Sequence, residues 1–385
     1  MVRKLYPFNW SPLFTLFIWA GAEKTGPQTF NDFDAVAVKG LKTAQGINFQ
    51  VQRVHDTQEG VPNNANNVND VRNTIQDTGA LSEHGTDRNA TNNVRHTSLH
   101  IAATHGELAI VRLLIEHGAD VCVQNVGGWT PLAEAAVRGY FDIAQLLLEH
   151  GADVHVQNKG GWTPLHEAAS RGHPDIMRLL FEHGADLKVT TYDGSTPLHV
   201  AASYGQPVTS RLLIERGADT NVKNEGGWTP LAEAAVRGYF DIAHLLLDHG
   251  ADVHAQNKGG WTPLHEAASR GYPNVMQLLS EHGADLKATT YDGSAPIHVA
   301  ASYGKPATAQ LLIGRGADVN VKNEGGWTPL AEAAVRGYFD IVQLLLDHGA
   351  DVHVQNKGGW TPLLEAMSRG HTDVVQLLFK HGATY

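Results

Sequence analysis

Cysteine is almost missing from this chain of 385 residues. Cys122 is the single one, so no internal disulfide can form, and the composition gives no support for an oxidising compartment. Clustered cationic residues are lacking as well. Lys and Arg total 29 against 40 Asp and Glu, and the formal net charge of −11 argues against binding a phosphate backbone. On charge alone, a basic or neutral protein partner fits better. There is no Walker-type Gly-Lys-Ser, no Gly-x-Ser-x-Gly elbow, no dinucleotide fingerprint and no His-Glu-x-x-His run, so the commoner enzyme and metal signatures are excluded. The reading is a non-enzyme without cofactor or metal.

Long apolar runs are also absent. The stretch Leu13 to Ala20 is the most apolar part of the N-terminus and is too short to span a bilayer, which excludes stable membrane insertion by that route. Met1 to Lys4 is basic, and Ala20-Gly21-Ala22 has the small-x-small pattern of a signal-peptidase site, so residues 1–22 read as an apolar leader. An intracellular protein, in cytoplasm or nucleus, is the main expectation; secretion is the alternative if the leader is cleaved. Residues 23–90 are polar and rich in Asn. Between Asp56 and Val94 they hold too little apolar surface to offset ordering entropy, which predicts disorder or a loose linker. Before Asp56, a Val-Ala-Val and an Ile-Asn-Phe-Gln-Val run are candidates for one or two strands. Asn89-Ala-Thr91 would accept a glycan only in a secreted chain.

What is abundant is repetition. A tetrapeptide recurs every 33 residues without insertion or deletion, as in Thr130-Pro-Leu-Ala, Thr163-Pro-Leu-His and Thr196-Pro-Leu-His, and a Gly-Ala-Asp, or Gly-Ala-Thr in the last unit, follows about twenty residues later. Nine such units, beginning at Thr97 and ending with Tyr385, mean one supersecondary module copied and stacked. The unit's chemistry predicts two helices. Thr163 can cap the first, Pro164 fits its first position without losing a needed hydrogen bond, and Gly172 ends it in the left-handed conformation. Leu165, Ala168 and Ala169 give that helix an apolar side. A second helix from about Pro174 carries Ile176, Met177, Leu179 and Leu180 at helical spacing. Asn158-Lys-Gly-Gly161 has the composition of a tight hairpin tip.

In these residues the chain resembles ankyrin-repeat proteins over 91–385, and its near-identical tandem units resemble long fungal-type ankyrin arrays. The resemblance implies an all-α repeat solenoid, with helix-turn-helix units joined by projecting β-hairpin loops. It also implies that the histidine of Thr-Pro-Leu-His bonds to loop backbone and helps join units. The first unit, with Ser98 for Pro, and the last, with Leu364 and Met367, depart from the pattern as end caps would. Units packing at about 8–10 Å give a stack on the order of 80 Å long, too open to enclose a pocket.

A second period lies over the first. Thr130–Trp228 and Thr229–Trp327 share 82 of 99 residues, so three units were duplicated as a block. Six units carry Trp immediately before the Thr: Trp129, Trp162, Trp228, Trp261, Trp327 and Trp360. The same six carry Glu on the first helix (Glu134, Glu167, Glu233, Glu266, Glu332, Glu365) and Arg four residues later: Arg138, Arg171, Arg237, Arg270, Arg336 and Arg369. Two of the remaining units have Val200 with Tyr204 and Val299 with Tyr303. The family resemblance implies that the residue before Thr and those just before the helix-ending Gly line a concave, partner-binding face. The six Trp, the six Arg, Tyr204 and Tyr303 are therefore the candidate protein-binding residues, and such residue types dominate interface hot spots. Two readings of the tryptophans stand, partner binding and packing between hairpins, and an Arg near a Trp could make a cation–π contact. The Glu residues read as a solvated helix face. The 22 histidines fall mostly at repeat-locked places, which argues for structure rather than metal. The functional reading is a monomeric, non-catalytic scaffold, adaptor or regulatory subunit for a protein partner; a secreted effector and an inhibitor or substrate receptor of an enzyme complex are the alternatives.

Overall fold

The computed structural model describes residues 36–43, 46–53, 91–92 and 95–384. The chain divides into two compact units, Met1–His84 and Gly85–Tyr385. In the first, β1 (Val36–Thr43) and β2 (Gly46–Arg53) form an antiparallel pair with Val38 opposite Val51. The two apolar runs singled out as strand candidates lie in this pair. The leader over 1–22 and most of the Asn-rich stretch fall outside the described residues.

The second unit holds eighteen helices among the described residues, two for each 33-residue repeat. First helices such as Pro131–Arg138, Pro164–Arg171 and Pro230–Arg237 begin where the threonine stops extended backbone. Thr130 Oγ1 accepts the Ala133 N–H at 3.2 Å, and Thr229 Oγ1 accepts the Ala232 N–H at 3.3 Å. Gly139 ends the first of these helices at φ 80°, a conformation that costs an L side chain about 1 kcal/mol or more. Second helices such as Phe141–Glu149 and Pro174–Glu182 return antiparallel behind them.

The core is continuous through the repeats. Leu132, Ala135, Ala136, Ile143 and Leu147 of one repeat are buried against Leu165, Ala168, Ala169 and Ile176 of the next. Because alanines face one another across the first helices, these approach more closely than the second helices do. Two layers of unequal spacing bend a stack towards the tighter one, so the first-helix layer is the inner one. Each repeat buries part of its apolar side between its own two helices and the rest against its neighbours, at about 1.5–3 kcal/mol for a fully buried leucine.

The projecting loops correct one expectation. They turn tightly, but no strand forms in them among the described residues; a lone bridge joins Thr91 to Thr97. Asn158 N–H donates to the Trp162 carbonyl at 2.8 Å, and Gly161 N–H donates back to the Asn158 carbonyl at 2.9 Å. Successive fingers are then linked by a single backbone bond, as from Lys159 N–H to Gly127 O at 2.9 Å and from Tyr192 N–H to Gly160 O at 3.2 Å, with side-chain bonds such as Gln157 Nε2–H to Thr190 O at 2.8 Å beside it. A strand needs a run of such bonds; a finger this short supplies one. Gly161 is obligatory, since a Cβ there would lie 2.5 Å from Tyr192 N.

Candidate functional site

The fingers and the ends of the first helices form one face, and the sequence-predicted residues meet on it. Each tryptophan follows a finger whose asparagine fixes it: Asn158 Oδ1 accepts N–H groups from both Gly160 (2.8 Å) and Trp162 (3.0 Å). Asn224 does the same for Gly226 and Trp228, each at 3.0 Å. Trp129, Trp162, Trp228, Trp261 and Trp327 are half-buried, and Trp360, in the last repeat, is 43% exposed. All six arginines are exposed, from Arg138 to Arg369. Tyr204 and Tyr303 are half-buried. Each tyrosine meets the tryptophan 42 positions before it edge-on, Trp162 to Tyr204 at 6.1 Å and Trp261 to Tyr303 at 6.3 Å between ring centroids. Those two tryptophans also tilt over His166 and His265, at 6.0 and 6.1 Å. On the second-helix layer, Arg216 makes a cation–π contact with Phe181 (4.9 Å).

The glutamates are not a solvated face, contrary to expectation. Glu167 is 5% and Glu266 1% exposed, and Glu134 and Glu365 are also buried. Asn158 Nδ2 donates to Glu167 Oε1 at 3.3 Å and Asn257 Nδ2 to Glu266 Oε1 at 3.1 Å, which turns these carboxyls under the finger base. Glu266 Oε2 is buried without a hydrogen-bond partner. Burial pushes the Glu167 carboxyl up to about 8; Arg171 opposes the shift and Glu134 adds to it. Burial likewise pushes Glu266 up to about 8, with Glu233 adding and Arg270 opposing. Glu233 and Glu332 close ion pairs with their arginines, Arg237 and Arg336, both at 2.5 Å. The signal for burial was present in the sequence. In sister repeats the same position holds Val200 and Val299, and a place taken by valine in one copy of a module faces inward in the others.

The Thr-Pro-Leu-His histidines bind the repeats together. In the fourth repeat Thr196 N–H donates to His199 Nδ1 at 3.2 Å, and Nε2–H donates to the Trp228 carbonyl of the next repeat at 2.9 Å. His100, His166, His265 and His298 make the same reach, to the carbonyls of Trp129, Ser195, Ser294 and Trp327. Burial holds His166 and His265 down at about 4, so each stays a neutral ring with one donor and one acceptor in use. The histidines after the second helices take the other tautomer, as His150 Nδ1–H donates to the Leu146 carbonyl at 2.9 Å. Among the described residues no three His, Cys, Asp or Glu side chains gather as a metal site, and no helix is long and apolar enough to cross a membrane. A shallow open cleft does exist, lined by Val208, Arg211, Phe240 and His244, but it lies between second helices, away from the finger face.

Paired helices stacked through a shared core, with a finger face carrying aromatic and guanidinium side chains, define a helical-repeat protein of the kind that engages other proteins. Ankyrin-repeat models match residues 73–158, 153–224, 189–257, 207–290, 251–323 and 297–385, and the chain belongs to the ankyrin-repeat family. Among solved structures, the human ASB11 ankyrin repeat domain is similar at 28% identity and a TM-score of 0.54, over 58% of this chain and 100% of that one. No curated protein sequence matches. Ankyrin repeats are in general protein–protein interaction modules.

Proposed function

We propose that this chain is a non-catalytic scaffold or adaptor that holds a protein partner along its finger face, working inside the cell as a monomer. One observation carries the reading. Half-buried tryptophans and exposed arginines recur in register on a single face, each tryptophan's backbone N–H held by its finger asparagine. Trp, Tyr and Arg are the residues that concentrate binding energy at protein interfaces, because they offer large planar area or forked charge-assisted hydrogen bonds at small entropic loss. Half-burial is what this use requires: one side of the ring is held by the protein and the other is available.

Replacing Trp228 and Trp261 together by alanine separates binding from packing. Proximity labelling with the intact chain and the variant, alongside thermal unfolding, should show partners lost at an unchanged midpoint. A fall in the midpoint with the labelled set unchanged would make these rings packing elements and defeat the proposal.

A further inference from the structure

We propose that this chain pairs with a second copy of itself, fingertip row against fingertip row, around a two-fold axis that passes between Glu225 and Lys258. This goes beyond the interaction reading above: the monomer stays the form that takes the partner, and the dimer is a second, reversible state. The observation is the order of residues along the row. Lys159, Tyr192, Glu225, Lys258, Tyr291, Glu324 and Lys357 hold the same place on successive fingers. Each donates its backbone N–H to a carbonyl of the finger before, at 2.8–3.2 Å. Val126 holds that place on the first finger, and all eight residues are exposed. The ion pairs among the described residues lie elsewhere, on helices and their ends, and engage none of these lysines or glutamates.

Cation, ring and anion thus follow one another and then repeat, and a row in that order is complementary to itself when reversed. With the axis at the middle, Glu225 of each copy meets Lys258 of the other, Tyr192 meets Tyr291, and Lys159 meets Glu324. Among these six inner tips every charge faces its opposite and every ring faces a ring; only the outermost pair, Val126 with Lys357, is unmatched. A slip of one finger sets Glu225 against Glu225, or Lys258 against Lys258, so the register is specified. Such a contact is isologous, each copy giving the same patch. Tyr192 and Tyr291, at 65% and 68%, are the most exposed large apolar side chains among the described residues, and the pairing takes both rings from water. Asp193 and Asp292 follow the tyrosines and have no opposite in this register. Both are turned back onto their own fingers, Asp193 Oδ1 accepting from the Thr191 hydroxyl and Ser195 N–H, and Asp292 Oδ1 from Thr290 and Ser294. A row of tips is a narrow strip, which puts the contact among transient interfaces, below about 1,200 Å² in total. Because the stack bends, the tips beside the axis decide the outcome.

Sedimentation of the full chain, from about 1 µM to about 1 mM, should show a monomer–dimer equilibrium. Glu225→Lys should raise the dissociation constant about tenfold or more, although it brings the acidic chain nearer to neutrality and so lowers general repulsion. Lys258→Glu alone should weaken pairing as much. The two single variants mixed in equal amounts should pair with each other and recover the wild-type fraction of dimer, since each charge then meets its opposite. Arg211→Glu makes the same change in net charge as Lys258→Glu but on a second helix, and should leave pairing within about twofold of the wild type. Thermal unfolding of each variant, expected at the wild-type midpoint, separates lost pairing from lost folding. The proposal is overturned if the wild type stays monomeric throughout, if Glu225→Lys pairs as the wild type does, if Arg211→Glu weakens pairing as much as Lys258→Glu, or if the mixture pairs no better than its components. Each of these results leaves the partner-binding reading standing, because Glu225 and Lys258 lie outside its set of tryptophans, arginines and tyrosines.

Discussion

Adjacent joints of the stack are built from the same 33-residue module but held by different chemistry. Five joints carry a histidine whose ring reaches the next repeat's backbone, as His199 reaches Trp228 at 2.9 Å. At the other three the first-helix position is Ala133, Ala232 or Ala331, and glutamates from the two repeats come together instead: Glu134 with Glu167, Glu233 with Glu266, and Glu332 with Glu365. With alanine replacing an imidazole, the first helices pair most extensively at these joints. The lesson is that a duplicated module need not give uniform mechanics. A hydrogen-bonded joint and a close-packed joint can follow one another, with opposite responses to protons.

The largest effect should come from a change that ignores the distinction. Ala234 is fully buried between first helices. Ala234→Asp puts an unpaired carboxyl into the shared core, at a cost of about 3–5 kcal/mol. Urea unfolding should show a lowered or split transition, since loss of one central repeat uncouples its neighbours. An unchanged midpoint would mean that stability does not reside in the stacking.

Protons should tell the two joints apart. At the glutamate joints Glu167 and Glu266 stand at about 8 in the folded chain, above the ordinary carboxyl value of 4.5. The folded state therefore binds more protons than the unfolded one, and the stability these groups contribute is full below about pH 4.5 and is lost as pH rises towards 8. At the histidine joints His166 and His265 stand at about 4 against an ordinary 6.5, so their contribution is full above about pH 6.5 and is lost as pH falls to 4. Glu167→Gln with Glu266→Gln should flatten the alkaline limb, by at most about 1.4 kcal/mol per pH unit for each residue, and leave the acid limb unchanged. Thermal unfolding from pH 4 to 9 reads this directly. A variant that keeps the wild-type slope between pH 5 and 8 would show that these carboxyls are already ionised in the folded state.

Much of this was legible in the residues. The spacing of Thr-Pro-Leu-His and Gly-Ala-Asp marks both helices of each repeat, because caps and left-handed glycines are local devices that need no tertiary context. The candidate face was legible for the same reason: Trp162 and Tyr204 come together because units in fixed register stack in line. The glutamates were misread because an i, i+4 pairing with arginine is the mark of a solvated helix surface, whereas burial here is imposed from outside the helix. Asn158 and Asn257 reach over from the fingers to hold those carboxyls. The missing finger strands are a similar case, since hairpin composition fixes the turn but not the number of bonds flanking it.

The smallest effect gives the sharpest reading of the glutamate joints. Arg237 closes on Glu233 at 2.5 Å, with side chains 39% and 15% exposed. Arg171 holds the same place in its own repeat, but Glu167 is turned under to Asn158. An i, i+4 ion pair on a helix surface contributes about 0.3–0.5 kcal/mol. Arg237→Gln should therefore cost about that much at pH 7 and less at high salt, while Arg171→Gln should cost close to nothing, its neighbour being largely protonated there. At pH 9 the order should narrow, because Glu167 then ionises and the lost guanidinium leaves a buried charge with one fewer cation near it. Chemical denaturation of both variants at the two pH values measures the difference. Equal costs at pH 7 would mean that the division between open and closed Glu–Arg pairs has no energetic content.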